Sequence, residues 1–122
     1  MKLRIQGSSI RLRLTQPEVA AFVDTGMVQS KTGLGLAYAL RQTKGTHPIA
    51  TFEQGTLTVW VPESLATQWT TTDQVGFEAT QPFADGTSLS LLVEKDFQCL
   101  HRDGENKAEL YPHPDADNGG SA

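Results

Sequence analysis

The feature that most constrains the fold is an alternation of charged and aliphatic residues from Lys2 to Leu14, interrupted at Gly7 and Ser8. Successive side chains of an extended strand point to opposite faces, so the pattern predicts two strands with one aliphatic face each. The glycine-containing connection is typical of a β-hairpin. The aliphatic face requires burial, and the rest of the chain must supply the layer that covers it.

The same pattern recurs near the middle of the chain. The aliphatic positions of the two copies align at a constant offset of 47: Leu3, Ile5, Ile10, Leu12 and Leu14 with Ala50, Phe52, Leu57, Val59 and Val61. A helical segment and two further strands follow each copy, and the offset reaches 53 at Leu36 and Leu89. We predict an internal duplication of a ββαββ unit, with repeats over about residues 2–46 and 48–97. Chance alternation is the competing interpretation, because identity between the halves is low.

Two half-sheets that each expose an apolar face would pack together or close into a barrel. We therefore predict an α+β fold, in which an antiparallel, barrel-like sheet of about eight strands is built from the two ββαββ repeats and carries two short helices. A length of 122 residues is normal for one domain, which we expect over residues 1–114. The polar, glycine-containing residues 115–122 are expected to be a disordered tail.

The first helix has recognisable start and stop signals. Thr15 and Glu18 have the spacing of a capping box, Pro17 suits the first turn, and Gly26 is a natural C-terminal stop. In the second helix we expect Trp69 to face the core.

Charge is distributed unevenly along the chain. The formal net charge is −4, but residues 1–46 hold seven Lys and Arg against two acids, a net +5, while the remainder holds three against twelve, a net −9. Such a split can bind an anion, favour head-to-tail association, or be self-complementary within one fold.

The basic face of the hairpin is the candidate ligand site. If the two strands pair, four cationic side chains crowd on the face opposite the aliphatic one: Lys2, Arg4, Arg11 and Arg13. Like charges across a ladder repel, so the cluster favours a small anionic ligand, and arginine binds phosphate or carboxylate in bidentate fashion. The alternatives are acidic partners within the fold, such as Glu78 and Glu94, or a basic face that is simply solvated.

The second copy differs at one of these positions, where Trp60 corresponds to Arg13. The two halves are therefore expected to present a basic strip and an aromatic strip.

A second candidate site consists of Cys99, His101 and His113, which are residue types that bind zinc and other transition metals. The segment has no CxxC or HxxxH pair, so a half-buried cysteine followed by an exposed loop is the competing interpretation. A single cysteine excludes an intramolecular disulfide and fits a reducing compartment. Because we find neither a signal peptide nor a stretch of about 20 apolar residues, we expect a cytoplasmic protein and no membrane partner.

The opening phrase from Met1 to Val19 resembles that of a family of small uncharacterised bacterial proteins. The segments Thr72–Glu78, Leu92–Leu100 and Tyr111–Pro114 are similar to later motifs of that family, so the resemblance covers nearly the whole chain. The family is a domain of unknown function, and the resemblance therefore implies no activity or cofactor.

A weaker likeness is to AbrB/MazE-type DNA-binding hairpins, because Val59–Leu65 reads as a strand, a proline and a helix. DNA binding is a minor interpretation, since the chain is net acidic and lacks a second basic copy. The leading hypothesis is a non-enzymatic binding or interaction module with a small anionic molecule or a protein as its partner. The alternative is an enzyme or sensor that uses a small anionic ligand or a metal ion.

Overall fold

The computed structural model describes residues 1–97, which form eight strands and two helices in the order ββαββββαββ. The strands are β1 (Lys2–Gln6), β2 (Ser9–Leu14), β3 (Met27–Lys31), β4 (Ala37–Thr43), β5 (Ile49–Glu53), β6 (Thr56–Pro62), β7 (Gly76–Pro82) and β8 (Ser88–Lys95). The helices are α1 (Gln16–Thr25) and α2 (Glu63–Thr71). The α+β class with two short helices is confirmed.

The strands form two four-stranded sheets, which we name sheet A, in the order β1-β2-β8-β7, and sheet B, in the order β3-β4-β6-β5. The outer pairs of each sheet are antiparallel, whereas the central pairs, β2 with β8 and β4 with β6, are parallel. The expectation of an antiparallel, barrel-like sheet is therefore wrong, because the centres are parallel and residues 1–97 contain no closed sheet. The physical reason is that each helix carries the chain from one sheet to the other. As a result, the first hairpin of each half pairs with a strand of the other half: β2 pairs with β8, and β6 pairs with β4.

The two halves use equivalent registers. Leu12 on β2 has Val93 on β8 as its parallel partner, and Val59 on β6 has Leu40 on β4. These pairs are related by the offsets of 47 and 53 that the sequence comparison gave. The register thus agrees with the proposed correspondence, while the duplication itself stays a prediction.

The core lies between the inner faces of the sheets and beneath the two helices. Leu12 and Val59 are each 1% exposed, and Trp69 of α2 is completely buried, which confirms its predicted inward orientation. The Trp69 ring contacts Phe22 at a centroid distance of 6.3 Å and Phe77 at 5.5 Å, both edge to face. Edge-to-face pairs add to the burial energy of the rings, so these contacts stabilise the packing of α1, α2 and β7 against one another.

The predicted signals of the first helix are also confirmed. The Thr15 backbone N–H donates to Glu18 Oε1 at 2.9 Å, as in a capping box. At the other end Gly26 is left-handed, with φ 77°, and its N–H donates to the Phe22 carbonyl at 2.8 Å. This geometry ends α1 immediately before β3.

A side-chain amide spans the gap between two sheet edges. Gln81 on β7 accepts a hydrogen bond from the Ala50 N–H on β5 at 2.8 Å, and its Nε2 donates to the Ala50 carbonyl at 3.2 Å. The Gln81 amide therefore pairs with the Ala50 backbone as a neighbouring strand would, and it links the two sheets where no strands pair. Neither helix of residues 1–97 has the length and apolar character needed to span a membrane.

A candidate anion site on the outer face of sheet A

The four basic residues lie together on the outer face of the β1–β2 hairpin. Arg4 is the cross-strand partner of Arg11, and Lys2 is that of Arg13. The intervening β2 side chains are buried, which directs the basic residues outwards. The predicted juxtaposition of the four cations is confirmed.

Glu94 on the neighbouring strand β8 neutralises part of this charge. Arg11 Nε donates to Glu94 Oε1 at 2.7 Å, and Arg11 Nη2 donates to the same oxygen. Arg13 Nε lies 3.2 Å from that oxygen as well. The Glu94 side chain is only 14% exposed, so these charge-assisted contacts are partly withdrawn from water. Glu94 is therefore an internal partner of the cations, which confirms one of the alternatives predicted for the basic face.

Asp96 is a second internal acid, which the sequence analysis missed. Its carboxylate lies 3.1 Å from Lys2 Nζ and 3.8 Å from Arg13 Nη2, and its side chain is completely buried. The Asp96 N–H donates to the Leu14 carbonyl at 2.8 Å, which fixes the residue beside the end of β2. Its spacing could have identified it, because Asp96 comes two residues after Glu94 and residues two apart on a strand lie on the same face.

Arg4 differs from the other three cations. It is exposed, its Nη2 donates to Gln6 Oε1 at 3.2 Å, and no acid of residues 1–97 forms an ion pair with it. A shallow hollow of about 240 Å³ lies beside this side chain. Its lining combines cationic, amide, hydroxyl and aliphatic groups: Arg4, Gln6, Ser9, Arg11 and Leu92.

Glu78, the other acid suggested as an internal partner, forms no ion pair with the basic strip among residues 1–97. It occupies β7 at the far end of the cross-strand row that runs through Leu92 and Arg11 to Arg4. Three strand spacings separate it from Arg4, or about 14 Å.

The predicted metal ligands Cys99, His101 and His113 lie outside the described residues. Within residues 1–97, no group of three His, Cys, Asp or Glu side chains is arranged to hold a metal ion.

Lys95 is a buried cation that the sequence analysis did not single out. It is 6% exposed, and its Nζ donates to the Thr72 carbonyl at the C-terminal end of α2 at 2.8 Å. Burial lowers the pKa of the Lys95 ammonium, and the Asp73 carboxylate opposes that shift. A cation at this end of a helix complements the helix dipole, so we assign Lys95 a structural role.

The fold and the basic face define a small two-sheet α+β domain with an ion-paired outer surface. The chain belongs to a family of unknown function, DUF7009, whose model matches residues 1–115. This match confirms the expected membership of a domain family without an assigned activity. No curated protein and no solved structure matches the chain.

Proposed function

We propose that the protein is a non-enzymatic binding module that holds a small anionic group, of the phosphate or carboxylate type, at Arg4 on the outer face of sheet A. The observation that carries the proposal is the position of Arg4. It lies directly across the ladder from Arg11, whose own carboxylate partner lies on the opposite side, on β8. A cytoplasmic location stays a prediction.

The charge balance of the strip supports an external anion. Within residues 1–97, Lys2, Arg11 and Arg13 each lie close to the carboxylate of Glu94 or Asp96, whereas Arg4 does not. Like charges directly across a ladder are unfavourable, and an anion beside Arg4 would relieve this repulsion.

The residues of the hollow have different roles in the proposal. Arg4 is the primary contact, because a planar guanidinium can bind a carboxylate or phosphate through two parallel hydrogen bonds. The Gln6 amide holds Arg4 Nη2, and the Ser9 hydroxyl supplies a further donor at the rim. Arg11 is engaged by Glu94 and contributes chiefly its positive potential. Of the four cations that the sequence indicated, Lys2 and Arg13 become supporting members of the ion-pair network.

The test is thermal unfolding with increasing phosphate at constant ionic strength, with chloride as the balancing anion. A ligand that binds only the folded state raises the melting temperature in a saturable manner. We expect this rise in the parent protein and its loss in Arg4→Gln. Lys44→Gln is the matched control, because Lys44 is an exposed cation in the connection between β4 and β5, away from sheet A. An equal rise in Arg4→Gln, or no rise in the parent protein, would overturn the proposal.

A further inference from the structure

The outer face of sheet B has an unusual composition for a solvated surface. In the order β5-β6-β4-β3, its first cross-strand row is Ile49, Trp60, Arg41 and Met27. Ile49 is 41% exposed and Met27 is 37% exposed, so both ends of this row present apolar surface to water. Tryptophan, methionine and arginine are enriched in protein–protein interfaces.

The aromatic part of this row is held in a defined position. The Arg41 guanidinium carbon lies 5.2 Å from the centroid of the Trp60 ring, a cation–π contact. On the other side, Trp60 Nε1 donates to Thr51 Oγ1 at 2.9 Å. A side chain fixed in this way loses little conformational entropy when another surface covers it.

The middle of the face is low, because the two central strands carry short residues there. Ala37 and Ala39 on β4 and Thr58 on β6 are all buried. Short side chains at the centre leave room for a second surface to approach closely.

The last row carries opposite charges at opposite edges. Glu53 lies on β5 and Lys31 on β3, with Thr56 and Ala37 between them in register. Both charged side chains are exposed, and neither takes part in an ion pair among residues 1–97. One edge of the face is therefore negatively charged, at β5, and the opposite edge is positively charged, at β3.

We propose that the outer face of sheet B binds the same face of a second copy of the chain. The twofold axis of this dimer runs parallel to the strands, above the middle of the face, between the two copies. It places β5 of one copy opposite β3 of the other, and each cross-strand row opposite the same row of the second copy. Glu53 then lies opposite Lys31 of the second copy, and Ile49 lies opposite its Met27. Trp60 lies opposite Arg41 of the second copy. A twofold axis along the Glu53–Lys31 row would instead oppose like charges, so charge complementarity selects the first arrangement.

The usual spacing between packed sheets is compatible with this arrangement. Aligned sheets stack at about 10 Å, with an angle near −30° between their strands. Long side chains such as those of Lys31, Glu53 and Arg41 can bridge that distance, while the short central residues avoid a clash. One four-stranded face is a small interface, so we expect a weak, concentration-dependent dimer.

The decisive experiment is a charge exchange measured by sedimentation equilibrium up to about 1 mM protein. Lys31→Glu and Glu53→Lys should each weaken self-association about tenfold or more, because each variant opposes like charges twice in the twofold dimer. An equimolar mixture of the two variants should associate again, since each copy then offers the charge that the other requires. The double variant Lys31→Glu with Glu53→Lys should also regain the dimer.

Glu78→Lys provides the matched control, because it makes the same charge change as Glu53→Lys at an exposed position of sheet A, and it should dimerise as the parent protein does. A second readout is the emission of Trp60, which should shift to the blue as concentration rises; the only other tryptophan of the chain, Trp69, is already buried. A monomeric parent protein at the highest concentration would overturn the proposal. So would a dimer that neither charge change weakens, or a mixture that fails to associate. The phosphate test at Arg4 uses a different face and a different readout, so either proposal can fail alone.

Discussion

Arg11 and Glu94 form a two-bond ion pair although they are 83 positions apart in the chain. Arg11 belongs to the first hairpin and Glu94 to the last strand, and β2 and β8 are parallel neighbours. The pair therefore fastens the beginning of the domain to its end. It also explains why a cluster of cations can occupy one face without an external ligand for each member.

Glu94→Gln should destabilise the fold, because Arg11 and Arg13 would lose the carboxylate they share while remaining partly buried. We expect a loss of about 1–3 kcal/mol in the free energy of unfolding. Glu78→Gln makes the same chemical change at an exposed position of the same sheet, and it should alter stability by less than about 0.5 kcal/mol. Urea unfolding of both variants checks this, and equal effects would show that the ion pairs contribute nothing specific.

The correspondence between the halves predicts matched costs in the core. Leu12 and Val59 are both 1% exposed and occupy equivalent places in their sheets. Leu12→Ala and Val59→Ala should each cost about 2–4 kcal/mol through lost burial and the cavity left behind. Ile5→Ala is the control, because Ile5 is 59% exposed and its truncation removes little buried surface. If Ile5→Ala cost as much as Leu12→Ala by calorimetry, this assignment of the core would be wrong.

The alternation of residues was enough to predict the strands, the inward and outward faces, and the order of elements. Leu12 and Val59 were placed correctly because a period of two depends only on local geometry. The pairing of β2 with β8 was not predictable in the same way. The pairing depends on how each helix carries the chain from one sheet to the other. The residues of β2 and β8 do not themselves indicate whether the two strands pair in a parallel or an antiparallel direction.

The site was predictable only in part for a related reason. The period of two placed Arg4 and Arg11 on one face, but it did not indicate which acids would lie beside them. Glu94 was a suggestion from the charge balance, and Asp96 was overlooked because it lies just beyond the last strand. The distinction between Arg4 and the other three cations depends on these long-range contacts.

Lys95 should make stability depend on alkaline pH. Burial lowers the pKa of its ammonium below the usual value of 10.5 in the folded protein, whereas the unfolded chain keeps that usual value. Between the two pKa values the unfolded chain binds more protons, so stability should rise with pH in that interval. Lys95→Met does not titrate, and the difference in unfolding free energy between parent and variant isolates the effect. The unfolding free energy of the parent minus that of Lys95→Met should increase as pH approaches 10.5. A difference that stays constant or decreases would contradict the assignment.

The most direct test of the anion site at Arg4 is a ¹H–¹⁵N NMR titration with phosphate at constant ionic strength. Arg4 Nε–H and the backbone amides of Gln6 and Ser9 should shift together and saturate along one binding curve. The Arg11 resonances should move less, because its guanidinium is engaged by Glu94. In Arg4→Gln the saturable shifts at residues 6 and 9 should disappear. Shifts spread evenly over all the cations without saturation, or an Arg4 signal that does not move, would contradict the account and leave the strip as a solvated ion-pair network.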